Sequence, residues 1–267
     1  MPATNIPIIT PVRTGSFTGQ PTPLSLDYVE TASGGVSWDA IPLNGLVLAC
    51  LDNTAGTTQT FTAPSESDAY GRTLPITTYS QATTIRSAVL LTNSAPGWRN
   101  SDGTWHAYAS AVTSKWSCFS IPGIGAPWSG ISATQAGRTA INPITPMGPW
   151  SGPQAGSATT WPIGAQPNVL ALDYTMSAMD ASNGNCIVMN GPLLLLFTDT
   201  GSNTMTITST AVGDNLARTG DITAYAVGSG LFSAIYVRPE GFRQSNGYLY
   251  LTASNAAVKV AAFACPG

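Results

Sequence analysis

The chain has 267 residues, 43% of them hydrophobic, which supplies enough apolar side chains for two domain cores. Only 9% are charged, where a soluble domain usually carries about 25%. With a net charge of −3 and ten scattered basic residues, nothing forms a footprint for a nucleic-acid backbone, and no apolar run is long enough to cross a bilayer.

Residues 1–19 are rich in Pro, Thr and Gly without periodicity, which predicts an extended N-terminal arm rather than a structural element. From 20 to 123, short runs of Val, Ile, Leu, Thr and Tyr alternate with Gly, Asn, Asp, Ser and Pro. They predict strands over 24–29, 46–51, 59–63, 74–79, 85–91, 104–109 and 115–119, with turn signals spaced as in an all-β sandwich. No segment carries the apolar period of a substantial helix. Residues 124–165 are a different texture, a Pro/Gly/Ser-rich connector that holds Trp128, Trp150 and Trp161. A flexible linker has no use for three indoles. They either tuck against a domain or anchor a partner subunit, where Trp is enriched. From 166 to 267 the strand series returns, over 170–175, 193–198, 205–210, 221–225, 231–237, 248–252 and 258–263.

The second series is a copy of the first. Gln-Pro-x-x-Leu-x-Leu-Asp-Tyr stands at 20–28 and again at 166–174, and Asp68, Arg72, Thr73, Ile76, Thr77 and Tyr79 recur as Asp214, Arg218, Thr219, Ile222, Thr223 and Tyr225. Identity is about 30% over roughly 100 aligned positions, a period far longer than a solenoid or propeller unit. The expected architecture is therefore all-β: two tandem antiparallel β-sandwich domains of jelly-roll or Greek-key type, at 20–123 and 166–267. Asp102-Gly103 and Asn246-Gly247 sit in matching places, and such pairs predict type I′ hairpin turns. The four cysteines, Cys50, Cys118, Cys186 and Cys265, match no cysteine in the other copy. They read as buried thiols acting as small hydrophobes, or as one intradomain disulfide.

Catalytic sets are missing from the sequence. His106 is the sole histidine, and its counterpart is Tyr250. The cysteines are scattered singly where a zinc site needs close spacing. The matched acids Asp27/Asp173 and Asp68/Asp214 are the candidates for a glycosidase pair. They read more simply as structural, with Asp68 tied to Arg72. The loops Asp180–Asn185 and Asp214–Asn215 offer calcium-type oxygens, which also belong to ordinary turn residues. No catalytic residue, cofactor or metal is expected.

At Asp180-Ala-Ser-Asn-Gly-Asn185, Arg218-Thr-Gly-Asp-Ile222 and the run from Gly241 to Ser254, the second copy resembles the small decoration or head-cement proteins of tailed-phage capsids. The resemblance covers most of 166–267 and extends faintly through the repeat to 20–123. It implies a non-enzymatic virion protein on the capsid exterior, made in a host cytoplasm, bridging subunits of the major capsid protein as a dimer or trimer. No nucleic acid or membrane partner is implied. On that reading the arm orders on docking. The sparsely charged, Thr- and Ser-rich surface suits packing against neighbours, as it also suits a stable β protein with hydroxyls on its strand faces. The competing function is a fibre or host-recognition protein that stacks glycans on exposed rings.

Overall fold

The computed structural model describes residues 4–5, 7–9, 12–14, 27–35, 38–43, 45–63, 76–92, 102–121, 138–141, 144, 173–209, 212 and 222–265. The first half contributes β1 (Thr4–Asn5), β2 (Ile8–Ile9), β3 (Val12–Thr14), β4 (Asp27–Tyr28), β5 (Thr31–Ala32), β6 (Asp39–Pro42), β7 (Leu46–Asn53), β8 (Gln59–Ala63), β9 (Ile76–Gln81), β10 (Arg86–Thr92), β11 (Thr104–Ala109) and β12 (Ser114–Ile121). The second contributes β13 (Thr139–Ala140), β14 (Asp173–Tyr174), β15 (Ser177–Ala178), β16 (Asn185–Val188), β17 (Leu193–Asp199), β18 (Met205–Ser209), β19 (Ile222–Val227), β20 (Phe232–Val237), a single helical turn α1 (Pro239–Phe242), β21 (Tyr248–Ala253) and β22 (Val258–Ala264). The protein is all-β, and its long strands pair antiparallel.

The chain divides into two compact units, each discontinuous in sequence. Unit 1 draws on 1–10, 30–122 and 146–175; unit 2 draws on 11–29, 123–145 and 176–267. Unit 1 holds one sheet in the order β1-β6-β11-β8-β9 and a second in the order β14-β10-β7-β12-β2, with β5 also on β12. Unit 2 repeats the plan as β13-β16-β21-β18-β19 and β15-β22-β17-β20-β3, with β4 also on β20.

In each unit, residues of both sheets share one core. In unit 1 it is aromatic: Phe61, Trp105 and Trp116 meet edge to face, with ring centroids 5.5 to 5.9 Å apart, an arrangement the ring quadrupole favours. The equivalent positions in unit 2 are Ile207, Leu249 and Val260, and that core is aliphatic. The central strands β7 and β17 are buried along nearly their whole length on both faces. Their sequences, Val-Leu-Ala-Cys-Leu and Leu-Leu-Leu-Leu-Phe, are accordingly continuous apolar runs instead of alternating ones.

The fourteen expected strands all have counterparts, most within a residue or two; those expected over 24–29 and 170–175 are seen as the two-residue β4 and β14, with 24–26 and 170–172 outside the described residues. Two features differ from expectation. Where it is described, the arm expected over 1–19 forms short strands: β1 lies parallel to β6, β2 parallel to β12, and β3 parallel to β20. Short strands paired only to distant residues leave no local periodicity to read. The segment has a hidden twin in the connector, where β13 lies parallel to β16 and Ile144 bridges Phe263. Thr4, Ile6, Ile9, Thr10 and Pro11 match Thr139, Ile141, Ile144, Thr145 and Pro146 at a constant offset.

The second correction concerns the Gly turns. Gly103 and Gly247 do take positive φ, 87° and 89°, but among described non-glycine residues only Thr84 and Ala224 do so. In the second copy the Gly247 N–H donates to the Gln244 carbonyl and the Gln244 N–H to the Tyr248 carbonyl, both at 2.8 Å. That is a type I turn closed by a left-handed glycine bulge, in place of type I′. It joins α1 to β21 and not two paired strands, since β20 and β21 lie in different sheets.

Candidate interaction surface

The β6-β11-β8-β9 sheet of unit 1 and the β16-β21-β18-β19 sheet of unit 2 turn one face inward and one to solvent. Along β11 the side chains of Trp105, Ala107 and Ala109 are buried, while Thr104, His106 and Tyr108 are half-exposed. Along β21 the buried set is Leu249, Leu251 and Ala253, and the outer set is Tyr248, Tyr250 and Thr252. Strands β8, β9, β11, β18, β19 and β21 contain no Asp, Glu, Lys or Arg. Hydroxyls and rings make up most of these faces, and shedding their water costs far less than desolvating fixed charges.

Each face carries one aromatic feature. On unit 1, Trp38 is 38% exposed and stands edge-on to Tyr108, centroids 4.6 Å apart. On unit 2 the position equivalent to Trp38 is Gly184, with φ +73°. A Cβ there would run into the guanidinium of Arg138 and approach Thr252 Cγ2 to 2.9 Å. The glycine leaves room for Arg138, which lies over the Tyr250 ring at 4.4 Å as a cation–π contact. At the end of β11, Asp102 accepts hydrogen bonds from the N–H and hydroxyl of Thr104 at 2.9 and 2.7 Å and lies 2.9 Å from His106 Nε2. The Thr104 bonds, then the His106 contact, hold its carboxyl below the usual range.

Ionisable chemistry gathers at the edge of the other sheet of unit 1. Strand register sets Tyr174, Arg86, Asp52, Lys115 and Ala32 side by side across β14, β10, β7, β12 and β5. Arg86 bridges Asp52 at 2.6 Å and Glu30 at 3.3 Å. Burial pushes the Glu30 carboxyl up to about 7 against the pull of Arg86, and it raises Asp52 as well. A third buried acid, Asp39, is satisfied: Trp116 Nε1 and Ser33 Oγ donate to Oδ2 at 2.7 and 2.6 Å, and Gly34 N–H donates to Oδ1 at 2.7 Å. Such a carboxylate is a structural acceptor.

The four cysteines are buried and free, with no disulfide among them. Burial pushes Cys50 and Cys265 up to about 12 and holds Cys118 well above the ordinary thiol value, so these sulfurs stay protonated and poorly nucleophilic. Among the described residues no three His, Cys, Asp or Glu side chains converge as metal ligands would. In the loop before β16, the Asp180 carboxylate accepts from Ser182 N–H, Asn183 N–H and Asn183 Nδ2 at 2.9 to 3.0 Å, an Asx turn. The matched acids of the sequence are divided: Asp27 lies opposite Ser233 in unit 2 and Asp173 opposite Ser87 in unit 1. Trp128, Trp150, Trp161, Asp68, Arg72, Asp214 and Arg218 lie outside the described residues.

The Trp38–Tyr108 pair and the Arg86 cluster escape a sequence reading because their members are far apart in the chain. Only strand pairing brings Glu30, Asp52 and Arg86 together. The uncharged strands, by contrast, are plain in the sequence once strands are assigned. No protein-family model matches the chain, and a search of curated proteins finds no similar sequence.

Proposed function

We propose that this chain is a non-enzymatic structural protein of a tailed-phage virion, seated on the outside of the capsid and bridging subunits of the major capsid protein. In this reading each unit is a β-sandwich, and the two tandem sandwiches grip the shell as a pair. The observation that carries it is the sparsely charged outer face repeated on both units, built on six strands without one Asp, Glu, Lys or Arg. Such a face buries against protein with little desolvation penalty. Joining two of them makes the second binding event intramolecular, at an effective concentration up to about mM. Its partners are the capsid protein and further copies of itself.

Purified particles provide the test. Densitometry should find hundreds of copies per virion, and adding the protein to bare shells should raise their resistance to heat. Charge placed on the faces, as Thr62→Glu with Thr208→Glu, should abolish co-sedimentation with shells while the variant stays folded. Undiminished binding by that variant counts against the reading.

A second function, recognition of host glycans, has one specific observation behind it: the half-exposed Trp38 indole beside Tyr108, the kind of ring a sugar stacks on. A few dozen copies per particle, with glycan binding lost in Trp38→Ala, would favour this reading over the first.

A further inference from the structure

The best-matched stretch of the repeat, Gln-Pro-x-x-Leu-x-Leu-Asp-Tyr, ends in the two strands that change sides. β4 carries Tyr28 opposite Phe232 and Asp27 opposite Ser233 on β20. β14 carries Tyr174 opposite Arg86 and Asp173 opposite Ser87 on β10. Arg86 and Phe232 are equivalent positions of the two copies, since each faces an equivalent residue, Asp52 or Thr198, on the next strand. Both edges thus hold the same motif in the same register. Both tyrosines are buried, at 7% and 6% exposure, and Tyr28 packs on the Phe232 ring at 5.5 Å. The units also break at equivalent points, after 10 and 145 and again after 29 and 175. Copy one therefore lends 11–29 to unit 2, and copy two lends 146–175 to unit 1.

We propose that the outer edges of β10 and β20 are strand-acceptor sites that recognise this motif itself and not its place in the chain, so that the same segment of a second copy of the protein fills them. What the edge recognises is short: the backbone of Asp-Tyr in antiparallel register and one tyrosine to bury, and both copies of the motif offer these. An edge without its strand presents unpaired N–H and C=O groups and takes up the next suitable strand. Inside one chain the exchange closes on itself. Between chains it links molecules, as domain swapping does. Concentration during folding decides between the two outcomes, because the internal segment competes at an effective concentration up to about mM.

Cysteine pairs at the register positions of the full-length chain test this. In the double variant Ser233→Cys/Asp27→Cys, mild oxidation should give an intrachain disulfide between 27 and 233. Ser233→Cys and Asp27→Cys chains, unfolded together and refolded at rising concentration, should then give an interchain 27–233 disulfide, identified by peptide mass, whose share rises with concentration. Cross-linking of the double variant with no interchain product at any concentration would show that the edge serves its own chain alone, and would overturn the proposal. A double variant that keeps its β circular-dichroism spectrum but fails to cross-link would overturn the exchange itself. The pair Ser87→Cys/Asp173→Cys in unit 1 repeats both experiments at the other edge and guards against a folding defect at the buried Ser233.

Discussion

Five side chains cross the end of one sheet in each unit, and the two rows solve the same packing problem differently. In unit 1 the row is Tyr174, Arg86, Asp52, Lys115, Ala32; in unit 2 it is Tyr28, Phe232, Thr198, Lys259, Ala178. Tyrosine, lysine and alanine are shared, and the backbone register is identical. Between them one row places an arginine with two acids, the other a phenylalanine with a threonine. The position of Glu30, which completes the ionic cluster, is Met176 in the second copy. Duplication has kept the hydrogen-bond frame and let the chemistry on it diverge. The ionic version makes its contribution to stability depend on pH; the apolar version does not.

Breaking the arginine should have the largest effect. Arg86→Ala leaves two partly buried carboxylates without their bridging cation, a change of about 3–5 kcal/mol at pH 8. The penalty should shrink as pH falls and both acids take up protons. Phe232→Ala at the matching position removes apolar packing, about 3 kcal/mol, and its penalty should be the same at pH 5 and pH 8. Urea unfolding of both variants at the two pH values checks this, and equal pH dependence would erase the contrast between the rows.

Glu30 provides the next test. Its carboxyl is raised from 4.5 to about 7 in the folded protein, first by burial. Between those values the native state binds a proton that the unfolded state has lost. Stability is therefore fullest below about pH 4.5 and declines as pH rises through 7, by roughly 3 kcal/mol in all. Glu30→Met, the residue of the second copy, should remove that decline and leave a stability curve flat across pH 5 to 8 in this respect. An unchanged slope would mean that the proton resides elsewhere in the cluster.

The contrast also marks what a sequence can disclose. Strands such as 59–63 and 104–109 are legible to the residue, because alternation or apolar runs report their burial directly. β6 and β16 are not: Asp-Ala-Ile-Pro and Asn-Cys-Ile-Val are too short for a period and begin with residues typical of turns. The exchange of segments is invisible for a deeper reason. Gln-Pro-x-x-Leu-x-Leu-Asp-Tyr reads as the first strand of its own domain, and nothing local says that its partner strand lies about 90 residues before it in one case and about 200 after it in the other. The charge-free strands were in plain view. Which of their faces meets solvent required the pairing.

A smaller difference separates the outer faces. Gly184 sits where unit 1 has Trp38, and its φ of +73° suits a residue without Cβ. Gly184→Ala should cost about 2 kcal/mol through backbone strain and crowding by Thr252 and the Leu251 carbonyl. It should also displace Arg138 from Tyr250, visible as a change in the near-ultraviolet circular dichroism of tyrosine. Trp38→Ala in unit 1 should leave thermal stability nearly unchanged, because that indole is already half in water.

The smallest effect is expected in the turn before β11, where unit 1 has Asp102 and unit 2 has Asn246. Hydrogen bonds from Thr104, then the His106 contact, hold the Asp102 carboxyl below its ordinary value. Its contribution is therefore present above about pH 4 and fades as pH drops through the folded value. The carboxylate is more than half exposed, so solvent screens the gain. Asp102→Asn should shift stability by less than about 0.5 kcal/mol at pH 7, and by less as the pH falls below the folded value. Asn246 shows that an amide works in the same turn, donating from Nδ2 to the Tyr250 hydroxyl at 2.6 Å. Gly103→Ala, one residue along, meets the backbone instead: φ is 87° there, and the cost should be about 1–2 kcal/mol. Thermal melts of the two variants side by side should place Gly103→Ala well below Asp102→Asn; the reverse order would mean that the turn is held by its carboxylate and not by its glycine.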